Sequence, residues 1–405
     1  MYATSSLSGI MLAVLTMIPH SVSAQAQTPN LDATPDGIRI ATFNVSLYGK
    51  VSGEIRKRLS DRDDAQAKKI AAIVQSIRPD ILLVNELDYE AESGPARLLA
   101  ENYFAVGQES GSGTLEPIVF DHLYSARSNT GIDSTIDLNN DGKLGSGNDA
   151  WGYGVYPGQY AMTVFSRFPI DRNAIRTFQK LKWKEMPNAL RPKFPTGDPY
   201  YNDSVWSKLR LSSKNHIDVP IRVGDRVIHI LGSHPTPPVF DGQEDRNGCR
   251  NHDEVEFWNR YLSGDPETSS WIIDDAGTAG ALNASADFVV LGDLNADPND
   301  GSGRREAIRS LLAHRRVADI TPSCDKADLS ERARKHKGSG DLRHKTADFG
   351  RNGFMRVDYV LPSRTLHPTD AGIFWPNSSD PRHPWISASD HRMVWVDLDL
   401  SGKNP

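Results

Sequence analysis

Short β-branched apolar runs recur along this chain, and nearly every one stops on Asn, Asp, Glu or His. The clearest is Phe288–Pro298, FVVLGDLNADP, which breaks at Gly292 and then offers Asp293, Asn295 and Asp297 from a polar turn. Ile38–Val45 (IRIATFNV) carries Asn44 near its end, and Ile81–Val84 runs straight into Asn85-Glu86. Arg226–Gly232 is followed by Ser233-His234-Pro235, and Ser389-Asp390-His391 comes just before the alternating run Met393–Leu400. Asp358 lies inside another such run, Arg356–Leu361 (RVDYVL), where an unpaired carboxylate is costly and a partner is required. Buried strands that end in polar groups predict a sheet whose edge carries one site. Singly, each ending has an ordinary explanation: an Asx turn, a capped loop or a structural ion pair. Asp297 reads as a turn residue only.

The strands do not stand alone. Ile70, Ile73, Val74 and Ile77 fall at helical spacing within Arg62–Arg78, and Pro79 closes that helix. Strand, helix and strand thus follow within about fifty residues, a βαβ unit whose strands are parallel neighbours. Asn44 and Glu86 are then expected side by side. A helix is also predicted over Asp253–Leu262, and a shorter one over Glu306–His314.

The chain has 405 residues, 38% hydrophobic and 24% charged, with a net charge of −6. That is enough apolar material for one large domain. The acidic balance and the lack of a Lys/Arg run argue against a protein that coats nucleic acid. Residues 1–24 read as a secretory signal: Ile10–Ile18 is apolar but too short to span a bilayer, and Val22-Ser23-Ala24 suits cleavage. No Lys or Arg precedes that run. A polar leader at 25–37 and a single catalytic domain at 38–400 complete the division, with a secreted or periplasmic location and no membrane insertion expected. The two cysteines, Cys249 and Cys324, permit one disulfide in an exported chain; two buried thiols is the alternative.

Strand ends drawn only from Asn, Asp, Glu and His, with no Cys ligand set and no GxSxG elbow, suit a hard divalent cation: Mg²⁺ first, Mn²⁺ or Ca²⁺ otherwise. TFN at Asn44, NE at Glu86, GSH at His234, GDLNAD at Asp293 and Asn295, RVDYVL at Asp358 and SDH at Asp390 and His391 together resemble the endonuclease/exonuclease/phosphatase superfamily, in that family's order and across Ile38 to Leu400. The resemblance implies a four-layered α/β sandwich, two facing mixed β-sheets flanked by helices, in a phosphoesterase that acts by direct water attack. It implies Glu86 as the main metal ligand with Asn44 and Asp390, and Asp293 as the residue that orients or deprotonates water. Asn295 and His391 would contact phosphate, Asp358 would fix the His391 tautomer, and His234 would serve as general acid or phosphate binder.

Specificity within such a fold belongs to loops. Three are unusual here. Residues 107–150 hold Asp137, Asn139 and Asp141 followed by Gly142, the front half of a calcium loop, although Asn148 stands where a bidentate Glu belongs. Residues 179–207 are rich in Pro and aromatics. The stretch HPTPPVFDGQEDRNGCRNHDE places Arg246, Asn247, Arg250 and Asn251 after His234, in a polar loop. Arg250 and Asn251, with Lys214 and His216 on one strand face, are candidates for phosphate contact. The substrate class expected is a small or extracellular phosphate ester for a monomeric enzyme. The alternative is an extracellular nuclease, with nucleic acid as substrate only. A sphingomyelinase-like lipid hydrolase lacks its apolar hairpin, and a catalytically inactive binding module is disfavoured by the full residue set.

Overall fold

The protein is described from a computed structural model, over Met1, Tyr2 and residues 36–401 apart from 112, 319 and 325–332. The predicted signal beyond Tyr2 and the leader up to residue 35 lie outside the described residues. The strands that matter are β1 (Gly37–Leu47), β2 (Ile81–Leu87), β3 (His122–Ala126), β4 (Ala161–Ser166), β5 (Arg176–Thr177), β6 (His216–Val223), β7 (Arg226–Ser233), β8 (Asp287–Asp293), β9 (Asp358–Pro362), β10 (His367–Ile373) and β11 (Val394–Asp399). They form a six-stranded sheet, β10–β11–β1–β2–β4–β3, and a five-stranded sheet, β9–β8–β7–β6–β5. Both are mixed: β1 and β2 are parallel, as are β7 and β8, and their outer neighbours run antiparallel.

Period-two alternation builds the layers. Ile38, Ile40, Ile81 and Leu83 of the first sheet face Ile228, Ile230, Val289, Leu291 and Val360 of the second, in one apolar layer between the sheets. The opposite parity of the first sheet, Ala41, Phe43, Leu82 and Val84, packs on Ile70, Ile73 and Val74 of helix α1 (Ala65–Ile77). Phe288, Val290 and Leu361 of the second sheet pack on Phe257, Trp258 and Tyr261 of helix α2 (Arg246–Ser263). The result is helix, sheet, sheet, helix, the four-layered sandwich expected. Following the inner parity to the strand ends gives Asn44, Asn85, Asp293 and Asp358. Asn44 stands opposite Asn85 in register, and Asp293 opposite Asp358.

One sequence expectation fails here. Helix α2 starts at Arg246, seven residues before the predicted Asp253. Its first turns are polar because residues such as Arg250 and the buried Asn251 brace neighbouring backbone, so a pattern that reads as a solvated loop is a helix facing inward. Of the two alternatives for the cysteines, the structure has the buried thiols and no bond between them: Cys249 lies in the α2 layer and Cys324 between the sheets.

Asp297 is more than a turn residue. Its carboxylate accepts from Asn299 N, Asp300 N, Arg356 N at 2.7 Å and the buried Lys345 ammonium at 2.7 Å. Lys345 also pairs with Asp300. This buried cluster ties the loop after β8 to the start of β9 and to segment 345–348. In that segment Thr346 Oγ1 accepts from Asp358 N, and Thr346 O accepts from Arg392 N.

Candidate active site

Asp293 is the hub. Its Oδ2 accepts from Asn44 Nδ2 at 3.0 Å, lies 3.4 Å from His234 Nε2 and 3.6 Å from His391 Nε2. Its Oδ1 accepts from Asn295 N at 2.9 Å, and its own N–H donates to Asn85 Oδ1 across the two sheets at 3.2 Å. The strand reaches this position because Gly292 sits at φ 137° with Ser233 O packed against it; a Cβ there would come within 2.2 Å of that oxygen. Only glycine satisfies both conditions.

Glu86 is aimed by strain. Strict alternation from the inward Leu83 and Asn85 would turn Glu86 to the helix side. Instead β1 and β2 both slip register at this level, between Asn44 and Leu47 and between Asn85 and Leu87, and Glu86 takes φ 57°. Ser46 (φ 48°) and Asn295 (φ 49°) share that left-handed conformation. Non-glycine residues there cost energy and cluster at functional sites, and bulges re-aim side chains. Glu86 Oε1 thereby lies 3.8 Å from His234 Nε2.

The remaining groups close the ring. His391 Nδ1 donates to Asp358 at 2.9 Å, and Phe349 stands edge-on to its ring at 5.4 Å. Ser389 Oγ donates to Asn44 O at 2.7 Å and accepts from His391 N, locking the final loop onto β1. Asp390, with its side chain about half exposed, accepts from Ser46 Oγ at 2.9 Å and approaches His391 Nε2 at 4.0 Å. Asn295 Nδ2 and Lys214 Nζ both donate to Pro235 O, at 3.1 and 3.3 Å, just beyond His234.

Electrostatics divide the two histidines. Burial works against the His391 cation, but the Asp358 and Asp293 carboxylates outweigh it and raise its pKa to about 10. Burial, with Lys214 and His391 adding positive charge, pushes His234 well below its usual value. His391 is therefore an imidazolium and His234 a neutral imidazole whose buried Nδ1 has no hydrogen-bond partner among the described residues. Burial raises the Glu86 and Asp293 pKa values, against the opposing pull of His391 and of the Asn44 amide. Burial lowers the Lys214 pKa, against Glu254, Glu86 and Asp293.

A divalent cation fits this donor set. Glu86, His234 and Asp293 present ligand atoms within 4.8 Å of one another. Carboxylates that burial has made reluctant to ionise regain their charge beside a cation. Glu86, the Asn44 carbonyl oxygen and the accessible Asp390 carboxylate are the oxygen donors that would hold it.

Of the weaker candidates, the structure brings Lys214 to this cluster and places the others elsewhere. His216 is not a phosphate contact. Lys214, His216 and Asp218 do share a strand parity, but from β6 that parity faces α2: His216 bonds Ser212 Oγ and Glu254 O and packs on Phe257 and Trp258. Burial lowers its pKa to about 4. Arg250 is also a brace, its guanidinium donating to the carbonyls of Leu211, Trp151, Arg210 and Ser212. Asn251 Nδ2 holds the backbone of Thr236, Leu294 and Asn295, supporting the site from below. Asp137 accepts from Asp141 N and Gly142 N, and Asn139 Nδ2 donates to Asp141, while the buried Asp149 caps Leu138 N and Ser146 N. Asn85 and Ser389 belong to the site architecture although sequence reasoning left them out; their positions inside NE and SD motifs were the signal. His216→Phe should lower stability by roughly 1–3 kcal/mol, because Glu254 O loses its donor in the core, with kcat little changed. Thermal unfolding beside steady-state kinetics checks this.

A carboxylate hub between two sheet ends, a cationic and a neutral histidine, and acidic oxygens that suit a cation are groups a phosphoric ester hydrolase can use. The Endonuclease/Exonuclease/phosphatase family matches residues 41–391, and the chain belongs to it. Comparison with solved structures finds similar chains of low identity. An endonuclease/exonuclease/phosphatase from Beutenbergia cavernae is 18% identical over 91% of this chain and 72% of that one, with a TM-score of 0.48. A family protein from Leptotrichia buccalis is 14% identical over 90% and 100%, TM-score 0.46. Sphingomyelinase C from Streptomyces griseocarneus is 15% identical over 90% and 99%, TM-score 0.42. No curated protein sequence gives a match. No helix among the described residues is long and apolar enough to cross a membrane.

Proposed function

We propose that the protein is an exported, Mg²⁺-dependent phosphodiesterase that splits its substrate by direct attack of water. The observation that carries this reading is Asp293 Oδ2, which meets Asn44, His234 and His391 at 3.0, 3.4 and 3.6 Å. A carboxylate held by an amide, with nitrogen donors on two other sides, is built to hold a water in line with a phosphorus atom. His391, cationic and fixed by Asp358, donates through Nε2 to a non-bridging phosphate oxygen. Neutral His234 and the Asn295 amide offer further donors on the same side, and a neutral imidazole suits hydrogen bonding to phosphate better than proton delivery. Glu86, Asn44 and Asp390 hold the cation, which when bound supplies positive charge for the oxygen on which charge develops. Mg²⁺ matches the oxygen donors best. The apolar run Ile10–Ile18 with its small-residue cleavage site supports export.

The test is metal removal and return. Dialysis against EDTA should lower hydrolysis of bis-p-nitrophenyl phosphate by at least about 100-fold. Mg²⁺ or Mn²⁺ should restore it. Full activity in EDTA overturns the reading. Plasmid cleavage that outpaces the small diester and falls steeply with salt would instead identify a nuclease.

A further inference from the structure

We propose that Tyr48 and Tyr160 form a platform that receives a neutral planar ring carried on the substrate phosphate, the aryl group or nucleobase of an aromatic phosphoester. The proposal rests on the phosphodiesterase reading and names the substituent that site selects.

Topology places the two rings. Strand β2, which ends at Glu86 and Leu87, lies between β1 and β4. Leu47 and Ala161 both pair with Leu87, and Tyr48 and Tyr160 are their immediate chain neighbours. The tyrosines therefore start from opposite sides of the strand end that carries Glu86, about 10 Å apart as flanking strands are. Their ring centroids nevertheless approach to 4.5 Å at 61°, so the rings close together over that end. Tyr48 is 39% exposed, beside the acidic groups of Glu86 and Asp390. Among the described residues neither hydroxyl has a protein partner. An aromatic pair beside these acidic groups, edge to face and partly open, is a surface for a third ring.

The pair is held in place at a cost. Tyr160 sits at φ 57°, a left-handed conformation unfavourable for an aromatic residue. Asp88 Oδ2, two residues beyond Glu86, accepts from Gly49 N at 3.0 Å and from the Tyr156 hydroxyl at 2.5 Å. Gln159 Nε2 donates to Gly49 O at 2.9 Å. The residues after Tyr48 and before Tyr160 are thus tied to each other and to the Glu86 strand. Strain maintained by a buried network beside the reacting groups marks a pre-organised binding surface.

Charge decides what the ring carries. The ionisable groups around the pair are Glu86, Asp88 and Asp390, all acidic, together with Tyr153. An uncharged flat group stacks there without opposing these carboxylates, whether or not Glu86 and Asp390 are engaged with a cation.

Calorimetry on the full chain with Mg²⁺ tests this with ligands that cannot be hydrolysed. Phenylphosphonate should bind about tenfold tighter than methylphosphonate, as base–aromatic stacking gives. The phosphonate analogue of thymidine 5′-monophosphate separates a nucleobase from an aryl ring as the natural occupant, according to which binds tighter. Tyr48→Leu should bring all three within about twofold of one another, while Tyr48→Phe keeps the tenfold preference, because the ring rather than the hydroxyl is used. A preference that survives Tyr48→Leu, or a Tyr48→Leu chain that loses methylphosphonate equally, overturns the platform. Absence of any phosphonate binding to the unaltered chain counts against the phosphodiesterase reading itself.

Discussion

Asp293→Asn should lower kcat on bis-p-nitrophenyl phosphate by about 10³-fold, within the range for a positioned general base, while KM changes little. The replacement keeps shape and volume. What it removes is the charged oxygen that Asn44 Nδ2 now serves at 3.0 Å and that faces His234 and His391. An amide cannot take a proton from water. It would also point an N–H at Asn44 or at Asn295 N, and so misdirect the water it still contacts. Stability should move the other way. Burial already disfavours the Asp293 carboxylate, so a neutral group removes a desolvation penalty. The thermal midpoint should hold or rise even as turnover is lost, the trade expected of a strained site. A chain that unfolds earlier, or one whose kcat falls less than about tenfold, would show that Asp293 is structural and that the water is held elsewhere.

The parts of this site that sequence made legible are those governed by strand parity. Asn44, Asp293 and Asp358 continue the inner-face alternation of residues such as Ile40, Leu291 and Val360, so an apolar run ending in Asn or Asp already states both the residue and its direction. Glu86 was legible by type only. Its aim depends on a paired bulge and a φ of 57°, and neither leaves a compositional trace. His216 shows the reverse error: its shared face with Asp218 was readable, but whether that face meets the other sheet or a helix depends on tertiary packing. Polar residues that brace from within, Arg250 and Asn251 in the first turns of α2, look like solvated loop to any hydrophobic pattern. Asp297 was discounted because its partners, Lys345 and Arg356, are distant in sequence. Tyr48 and Tyr160 were invisible for the same reason, since only the pairing of both neighbours with Leu87 brings them together.

Asp358→Asn is the second large effect. Asp358 touches no substrate in this scheme; it acts through His391, whose Nδ1 it accepts at 2.9 and 3.2 Å. Removing a carboxylate that orients a functional histidine costs about 10–100-fold. The loss should appear in kcat/KM, because the imidazolium contacts phosphate both before and during the reaction. The diagnostic readout is the His391 titration by NMR. With Asp358 in place it lies at about 10, so His391 stays charged from acid through neutral pH. Without it, only Asp293 and the half-exposed Asp390 oppose burial, and the pKa should drop toward or below the ordinary value of about 6.5. The sign for activity follows: in the variant, kcat/KM should fall as pH rises through neutrality, where the parent enzyme remains level. Stability follows the same linkage. A histidine whose folded pKa is raised contributes stability that is complete below its unfolded value and is lost as pH climbs through about 10. Asp358→Asn should therefore destabilise most at neutral pH and below, and the gap to the parent chain should close toward pH 10. If the His391 titration stays high in the variant, its charge is maintained by Asp293 and Asp390, and Asp358 serves only to hold β9.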